Sequence, residues 1–312
     1  MLSRTADCLF WLGRYTERAA NVARGLNVAW RMAGLGTGDA RGDEWRRLLI
    51  ATGCEPGFTA RHGAVTPEAA VDFLVREPGN PSGILSCFAA ARSNGRQVRT
   101  ALTVDMWSAL NESWSQFRDA GEADFQGERL PGFIDRVRER VLLFNGAAQD
   151  TMLRGEAFLF VQLGTALERA DNTARLLDVK ADLLAHGTHG AAEYAQWQAI
   201  LQSASALRSY HWVFRDRLDP AKIAELLILR PELPRSLLAC HARVGEVLEA
   251  IAAGQGGRRG ECHRLAGEIA ASLRYGRLED ILAGGLHEWL TRLIERTAQL
   301  GSAIEAFYIR GE

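Results

Sequence analysis

The sequence predicts an all-α fold, organised as a helical bundle of two similar halves. Apolar residues recur with the period of about 3.6 residues that marks one face of an α-helix. Runs with the alternating pattern of a β-strand are missing, and only residues 57–65 (GFTARHGAV) are irregular or extended by this pattern. The third observation is a stretch of twenty residues that occurs twice, at 9–28 and again at 160–179.

The helices can be placed in chain order. The first is expected to begin after Ser3, a favourable N-cap residue, and to end at the glycines at 34, 36 and 38. Its apolar arc comprises Leu12, Tyr15, Ala19, Ala23 and Leu26. Later helices are predicted to begin at a proline preceded by a capping residue, at Thr66-Pro67, Asn80-Pro81 and Asp219-Pro220. Each half is expected to close with a helix, at about 131–153 and 286–309.

The repeated stretch predicts a tandem duplication. Ten of its twenty positions are identical at an offset of 151: Leu12/Leu163, Gly13/Gly164, Glu17/Glu168, Arg18/Arg169, Ala19/Ala170, Asn21/Asn172, Ala23/Ala174, Arg24/Arg175, Leu26/Leu177 and Val28/Val179. Matches continue in order at offsets of 152 and 153, including Trp45/Trp197, Pro67/Pro220 and Cys87/Cys240. We expect halves 1–153 and 154–312 to pack as a single domain, residues 1–312, with approximate two-fold symmetry.

Composition excludes several classes of function. The net charge of −1 gives no basic field that would attract nucleic acid or an anionic membrane. Five widely spaced cysteines, without a CxxC pair, predict reduced thiols and a cytoplasmic location. Charged residues such as Arg4, Asp7 and Arg14 interrupt the apolar N-terminal segment, which is therefore expected to be neither a signal peptide nor a membrane span.

The candidate site is the polar face of the repeated helix. Its residues lie within about 60° of one another on a helical wheel, and the spacing occurs in both copies, as Glu17, Asn21, Arg24 and as Glu168, Asn172, Arg175. On a structural hypothesis, two helices meet here in a partly buried ion-pair network that sets their register. On a functional hypothesis, the arginines bind an anionic group and a glutamate transfers a proton. Plain exposure to solvent is the third possibility.

The functional hypothesis assigns a role to each residue. Glu17 and Glu168 are the catalytic candidates. The anion-binding candidates are Arg14, Arg18, Asn21, Arg24, Arg169, Asn172 and Arg175. Gly13 and Gly164 on the same helices permit a close approach of another helix, which suits either hypothesis.

No metal or cofactor site is predicted. The adjacent pairs Cys240-His241 and Cys262-His263 point about 100° apart on a helix, so both members rarely face one ion. His186 and His189 are assigned to a helix terminus and a turn. The nucleotide-binding and hydrolase motifs GxxxxGK[ST], HExxH and GxSxG do not occur.

Together these stretches resemble the alpha-E domain proteins, bacterial all-helical proteins named for a recurrent Glu-Arg motif. The resemblance covers essentially the whole chain and is strongest at residues 1–24, 91–111 and 163–180. One departure stands in the middle block, where Arg92-Ser93-Asn94 replaces the usual Arg-Glu-Asn. A role of that glutamate would therefore not carry over to this chain.

The resemblance also implies partners. Alpha-E proteins tend to be encoded beside circularly permuted ATP-grasp ligases and transglutaminase-like proteins, which implies a bacterial system that makes or processes peptide or amide bonds. ATP-grasp catalysis would come from the partner, because this chain has no recognisable nucleotide-binding pattern. The leading hypothesis is a non-catalytic accessory or scaffold protein. The alternative is an amide-processing hydrolase or transferase that uses the Glu-Arg motifs as acid/base and anion-binding groups.

Overall fold

The computed structural model describes residues 2–35, 40–181 and 191–311, and it divides the chain into two compact units, Met1–Thr165 and Ala166–Glu312. Within the described ranges every regular element is helical. The all-α prediction is confirmed. None of the described helices is both long and apolar enough to cross a membrane.

The first unit contains eight helices and the start of a ninth. They are α1 (Ser3–Leu35), α2 (Ala40–Ala51), α3 (Glu55–Thr59), α4 (Pro67–Val75), α5 (Ile84–Gln97), α6 (Val104–Phe117), α7 (Glu122–Phe125), α8 (Leu130–Thr151) and α9 (Glu156–Asp178). Short 3₁₀ turns occupy Arg99–Ala101 and Gly127–Arg129. Because the unit boundary follows Thr165, α9 contributes residues to both units.

Helix α1 is the central element of the first unit. It packs against α2, α5 and α8, so neighbours cover it from several directions. Leu12 and Glu17 lie about 140° apart on its helical wheel, yet both are buried. The polar face opposite the apolar arc is therefore largely enclosed, as expected for a helix in the interior of a bundle rather than on its surface.

Phenylalanine rings fill much of the core of the first unit. Phe117 on α6 contacts Phe88 and Phe133, with ring centroids 5.2 and 5.4 Å apart. Phe58 and Phe73 form a second edge-to-face pair at 5.3 Å. These offset and edge-on contacts are the favoured geometries of aromatic rings, and they tie α3 to α8 into one core.

Among its described residues, the second unit contains the rest of α9 and seven further helices. They are α10 (Ala191–Ser203), α11 (Leu207–Phe214), α12 (Pro220–Leu229), α13 (Leu237–Gly254), α14 (Glu261–Arg274), α15 (Leu278–Ala283) and α16 (Leu286–Ile304). A π-helical turn, Glu305–Arg310, follows α16. Helix α14 packs between α13 and α16, while α12 contacts α11 and α13.

Two of the three predicted proline starts are confirmed. Thr66 caps α4 by accepting a hydrogen bond from the Ala69 backbone N at 3.2 Å. Asp219 caps α12 in the same way, from the Lys222 backbone N at 3.0 Å. In both, the proline is the first helical residue, where its missing N–H costs nothing.

The third predicted start, Asn80-Pro81, is wrong. Helix α5 begins at Ile84. Asn80 instead closes a turn: its side-chain Oδ1 accepts from the Ser82 N at 3.0 Å, and its carbonyl accepts from the Gly83 N at 3.1 Å. Asparagine followed by proline favours such a turn as strongly as it favours a helix N-terminus.

Other helix boundaries differ by a few residues from those that the sequence predicts. Helix α1 continues through Gly34 to Leu35, and Gly36 and Gly38 lie outside the described residues. The segment 57–65 begins inside α3 and continues as turns, without extended structure. The closing helices correspond to α8 and to α16 with the π-helical turn that follows it.

Several local features recur at matching positions of the two halves. The Sγ of Cys87 lies 3.8 Å from the Pro81 carbonyl, and the Sγ of Cys240 lies 3.6 Å from that of Pro234. Trp45 and Trp197 are both buried. These parallels agree with the sequence repeat. The duplication, and the packing of residues 1–312 as one domain, remain predictions.

Candidate functional site

The site is organised by a close helix contact at Gly13. A Cβ atom at this position would overlap the Val161 carbonyl oxygen and lie 3.0 Å from the Thr165 backbone N. A Cβ at Gly164 would overlap the Phe10 carbonyl oxygen. Both glycines therefore face the backbone of the other helix, and the close approach expected from them is confirmed.

The contact is reciprocal in sequence. Gly13 meets Val161 and Thr165, whereas Gly164 meets Phe10 and Arg14, and each pair is related to the other by the repeat offset of 151. The Thr165 hydroxyl, which lies in this contact, donates to the Val161 carbonyl at 2.9 Å. The N-terminal part of α9 thus packs on α1 with almost no side-chain volume between the two backbones.

Glu17 lies one turn beyond this contact. Its side chain is only 1 % exposed. The Nη1 atom of Arg24 lies 3.7 Å from the Glu17 Oε1 and donates a hydrogen bond to the Asn21 Oδ1 at 3.0 Å. The Arg24 side chain is itself 12 % exposed. The three residues that the helical wheel groups together are therefore in contact, in an environment nearly free of water.

The side chains on the corresponding face of α9 have different hydrogen-bond and ion-pair partners. Glu168 is 2 % exposed, and the Asn172 Nδ2 donates to its backbone carbonyl at 2.7 Å. Arg175, however, donates from Nε to the Asp171 Oδ2 at 2.8 Å. Alanine (Ala20) stands at the position of Asp171 in the first copy. The spacing of Glu, Asn and Arg is repeated, but in the second copy the arginine pairs with an additional carboxylate, that of Asp171.

Two of the anion-binding candidates stack on aromatic rings. The Arg14 guanidinium lies 4.7 Å from the centroid of Trp11, and that of Arg18 lies 5.8 Å from the centroid of Tyr15. Each pair is spaced i,i+3, which brings side chains together on a helix. This spacing could have identified the pairs from the sequence. Arg169 is half-buried on α9.

Burial distinguishes two Glu-Arg pairs from the rest. The dipeptide occurs five times in the chain. Its glutamate is buried only at Glu17 and Glu168, and it is exposed at Glu128, Glu139 and Glu295. The two buried copies are those of the repeated helix, so the enclosure of the carboxyl group, and not the dipeptide itself, is the distinguishing property.

The cysteines and the histidines of the two Cys-His pairs lie in the core or at its edge. All five cysteines are buried and none of them forms a disulfide, and burial raises the pKa of the Cys262 thiol to about 11. The His263 Nδ1 accepts from the Gly260 backbone N at 3.1 Å. In the described part of the chain, no group of three His, Cys, Asp or Glu side chains could hold a metal ion. His186 and His189 lie outside the described residues.

His241 predicts a dependence of stability on pH. It is buried on α13, and desolvation, aided by the charge of Arg296, lowers its pKa from 6.5 to about 4. The unfolded chain takes up a proton below about pH 6.5, but the folded protein does so only near pH 4. The free energy of unfolding should therefore fall by up to about 3 kcal/mol as the pH falls from about 6.5 to about 4.

Denaturant unfolding at several pH values checks this expectation. His241→Leu should reduce the loss of stability between pH 6.5 and pH 4, since the leucine side chain does not titrate. An equally steep loss in the variant would show that other groups are responsible.

An all-helical protein with buried Glu-Arg pairs is the class that these features define. The sequence profile of the Alpha-E family, described as a predicted alpha-helical domain with a conserved ER motif, matches residues 1–309. The chain belongs to the Alpha-E family.

Relatives occur in mycobacteria. Uncharacterised proteins of Mycobacterium bovis and Mycobacterium tuberculosis are each 26 % identical to the chain over 320 aligned positions. The alignments cover 93 % of this chain but 35 % of each relative, so the chain spans about a third of their length. No solved structure matches the chain.

Proposed function

We propose that this protein is a non-catalytic accessory or scaffold component of a bacterial system that forms or processes peptide or amide bonds. It binds a circularly permuted ATP-grasp ligase or a transglutaminase-like protein. The observation that carries the proposal is the burial of Glu17, which is 1 % exposed. A general acid or base must come within hydrogen-bond reach of a substrate, whereas this carboxylate is enclosed in the protein, 3.7 Å from the Nη1 atom of Arg24.

The length of the relatives supports the same proposal. In the mycobacterial proteins the matching region makes up 35 % of the chain. There, the matching region is joined to a larger amount of further sequence, as expected of a module that serves other domains. A cytoplasmic location is part of the proposal and is supported by the five cysteines, none of which forms a disulfide.

The alternative is an enzyme, an amide-processing hydrolase or transferase. Its support is the set of guanidinium groups on the helix of Glu17, namely Arg14, Arg18 and Arg24, all half-buried. Arginines in such surroundings bind carboxylate or phosphate groups strongly. On this alternative Glu17 or Glu168 transfers the proton, and the arginines hold an anionic substrate.

Co-purification with the two proposed partners tests the proposal. The full chain is expected to retain the ATP-grasp protein or the transglutaminase-like protein through affinity and size-exclusion steps. The double variant Glu17→Gln/Glu168→Gln should bind the same partner below its melting temperature, and the complex should form product from ATP and amino acids at the wild-type rate. Binding without product formation in the variant would favour the enzyme. Failure of the wild-type protein to retain either partner would overturn the scaffold.

A further inference from the structure

Helix α11 presents an exposed aromatic and basic surface. Trp212 is 80 % exposed. Arg208 and His211, also exposed, lie within about 100° of it on the helical wheel. Exposed Arg215 follows directly as the C-cap residue. We name these four residues, Arg208, His211, Trp212 and Arg215, the α11 patch.

The opposite side of the same helix is firmly anchored. Tyr210 is fully buried, and its hydroxyl donates to the Arg217 carbonyl at 2.7 Å and accepts from the Asp219 backbone N at 3.0 Å. The Phe214 ring lies 5.0 Å from that of Tyr210. The helix and the loop that follows it are therefore held in place, and the patch is presented without the need to order a mobile segment.

Arg215 adopts a backbone conformation that favours glycine. Its φ and ψ are 51° and 35°, in the left-handed region. Helices often end in this conformation, but usually with glycine, because a side chain makes it unfavourable. An arginine here adds an exposed basic residue three positions after Trp212, at a cost in folding stability. A non-glycine residue in the left-handed conformation is often found where its side chain serves a function.

The patch is locally basic although the chain is not. Residues 207–217 contain three arginines, Arg208, Arg215 and Arg217, and one acid, Asp216. The Asp216 carboxylate is occupied by an ion pair with Lys222. Neither Arg208 nor Arg215 has an ion-pair partner among the residues that the structure describes. The patch therefore offers unneutralised positive charge around a tryptophan.

We propose that the α11 patch is the docking surface for an acidic segment of the protein partner, with Trp212 as its apolar anchor. This inference rests on the proposed scaffold function and names the surface that serves it. Tryptophan and arginine are the side chains most enriched among residues that dominate binding energy at protein interfaces. Complementary charge then selects an acidic partner and speeds its association.

A membrane or a nucleic acid fits the patch less well. A helix that lies on a membrane needs a broad apolar face, whereas the apolar side of α11 is turned into the protein at Tyr210. Nucleic acid binding needs a basic groove that follows several phosphates, and the net charge of the chain is −1. A single tryptophan with flanking arginines matches a short protein segment.

Calorimetric titration with the purified ATP-grasp protein tests the proposal on the full chain. Trp212→Ala should weaken binding at least tenfold and leave the melting temperature unchanged. Arg215→Gly should weaken binding severalfold while raising the melting temperature, because glycine suits the left-handed conformation. Binding by the wild-type protein should weaken as the salt concentration rises.

Two matched controls accompany these variants. Tyr275→Ala removes an equally exposed aromatic ring, 80 % exposed, from the end of α14 and should not affect binding. Ser205, with a φ of 55°, is the other non-glycine residue with positive φ in the described part of the chain, and Ser205→Gly should raise the melting temperature with unchanged affinity.

The possible outcomes separate the two proposals. Wild-type affinity in both Trp212→Ala and Arg215→Gly would overturn the patch while the scaffold function stands. If the wild-type protein binds neither the ATP-grasp protein nor the transglutaminase-like protein, both proposals are overturned. Sedimentation of the wild-type protein with phosphatidylserine vesicles, a shift with a single-stranded oligonucleotide, or self-association abolished by Trp212→Ala would assign the patch to a different occupant and overturn the proposal.

Discussion

Replacing Glu17 by alanine should lower the free energy of unfolding by about 3 kcal/mol. The substitution leaves the Arg24 guanidinium, 12 % exposed, beside a space that held its carboxylate neighbour. The loss of this attraction in such surroundings is costly, because it offsets part of the energy needed to bury the guanidinium group. For 312 residues that unfold together, the melting temperature should fall by roughly 5 °C. Differential scanning calorimetry measures this shift.

The chain contains a matched control for this variant. Glu295 precedes an arginine in the same dipeptide, but its side chain is exposed. Glu295→Ala should change the stability by no more than about 0.5 kcal/mol. Equal melting temperatures for the two variants would contradict a structural role of the buried carboxylate.

Gly13→Ala should destabilise the first unit by about 2–3 kcal/mol. The added methyl group would meet the Val161 carbonyl oxygen, which belongs to the backbone of α9 and cannot rotate away. The helices must separate instead, and packing is lost along their contact. Urea unfolding measures the change. Combined with Gly164→Ala the loss should be less than additive, since both methyl groups separate the same pair of helices.

Gly146→Ala is the control for the glycine variants. Gly146 lies within α8, and a Cβ there would meet nothing within 4 Å. Alanine favours the helix over glycine, so stability should rise by up to about 1 kcal/mol. A loss of stability at Gly146 comparable with that at Gly13 would show that steric contact is not the cause.

Local interactions could be predicted from the sequence. The contact of Arg24 with Asn21 follows from their i,i+3 spacing, and the caps at Thr66 and Asp219 follow from residue type and the proline behind them. The Arg175–Asp171 pair has i,i+4 spacing and was equally accessible. The identical positions of the repeat do not include Asp171, because the first copy has Ala20 there.

Burial could not be predicted from one helix at a time. A wheel places Glu17 opposite the apolar arc and cannot show that α2, α5 and α8 enclose α1. The same limit applies to α11, where Tyr210 and Trp212 are both aromatic and two residues apart, yet one is buried and the other exposed. Which ring points inward depends on long-range packing, which no local pattern records.

The reciprocal glycine contact also bears on ancestry. If the halves arose by duplication, as the repeat predicts, the precursor had a single opening helix. In this chain Gly13 contacts Val161 and Thr165, whose equivalents in the first half are Phe10 and Arg14. In the precursor, the same glycine would then have contacted the equivalents of Phe10 and Arg14 in a second molecule. A self-complementary contact of this kind is the signature of a two-fold homodimer. Gene fusion would have joined its subunits and freed each copy to diverge, and the difference between Asp171 and Ala20 at equivalent positions would be one trace of that freedom.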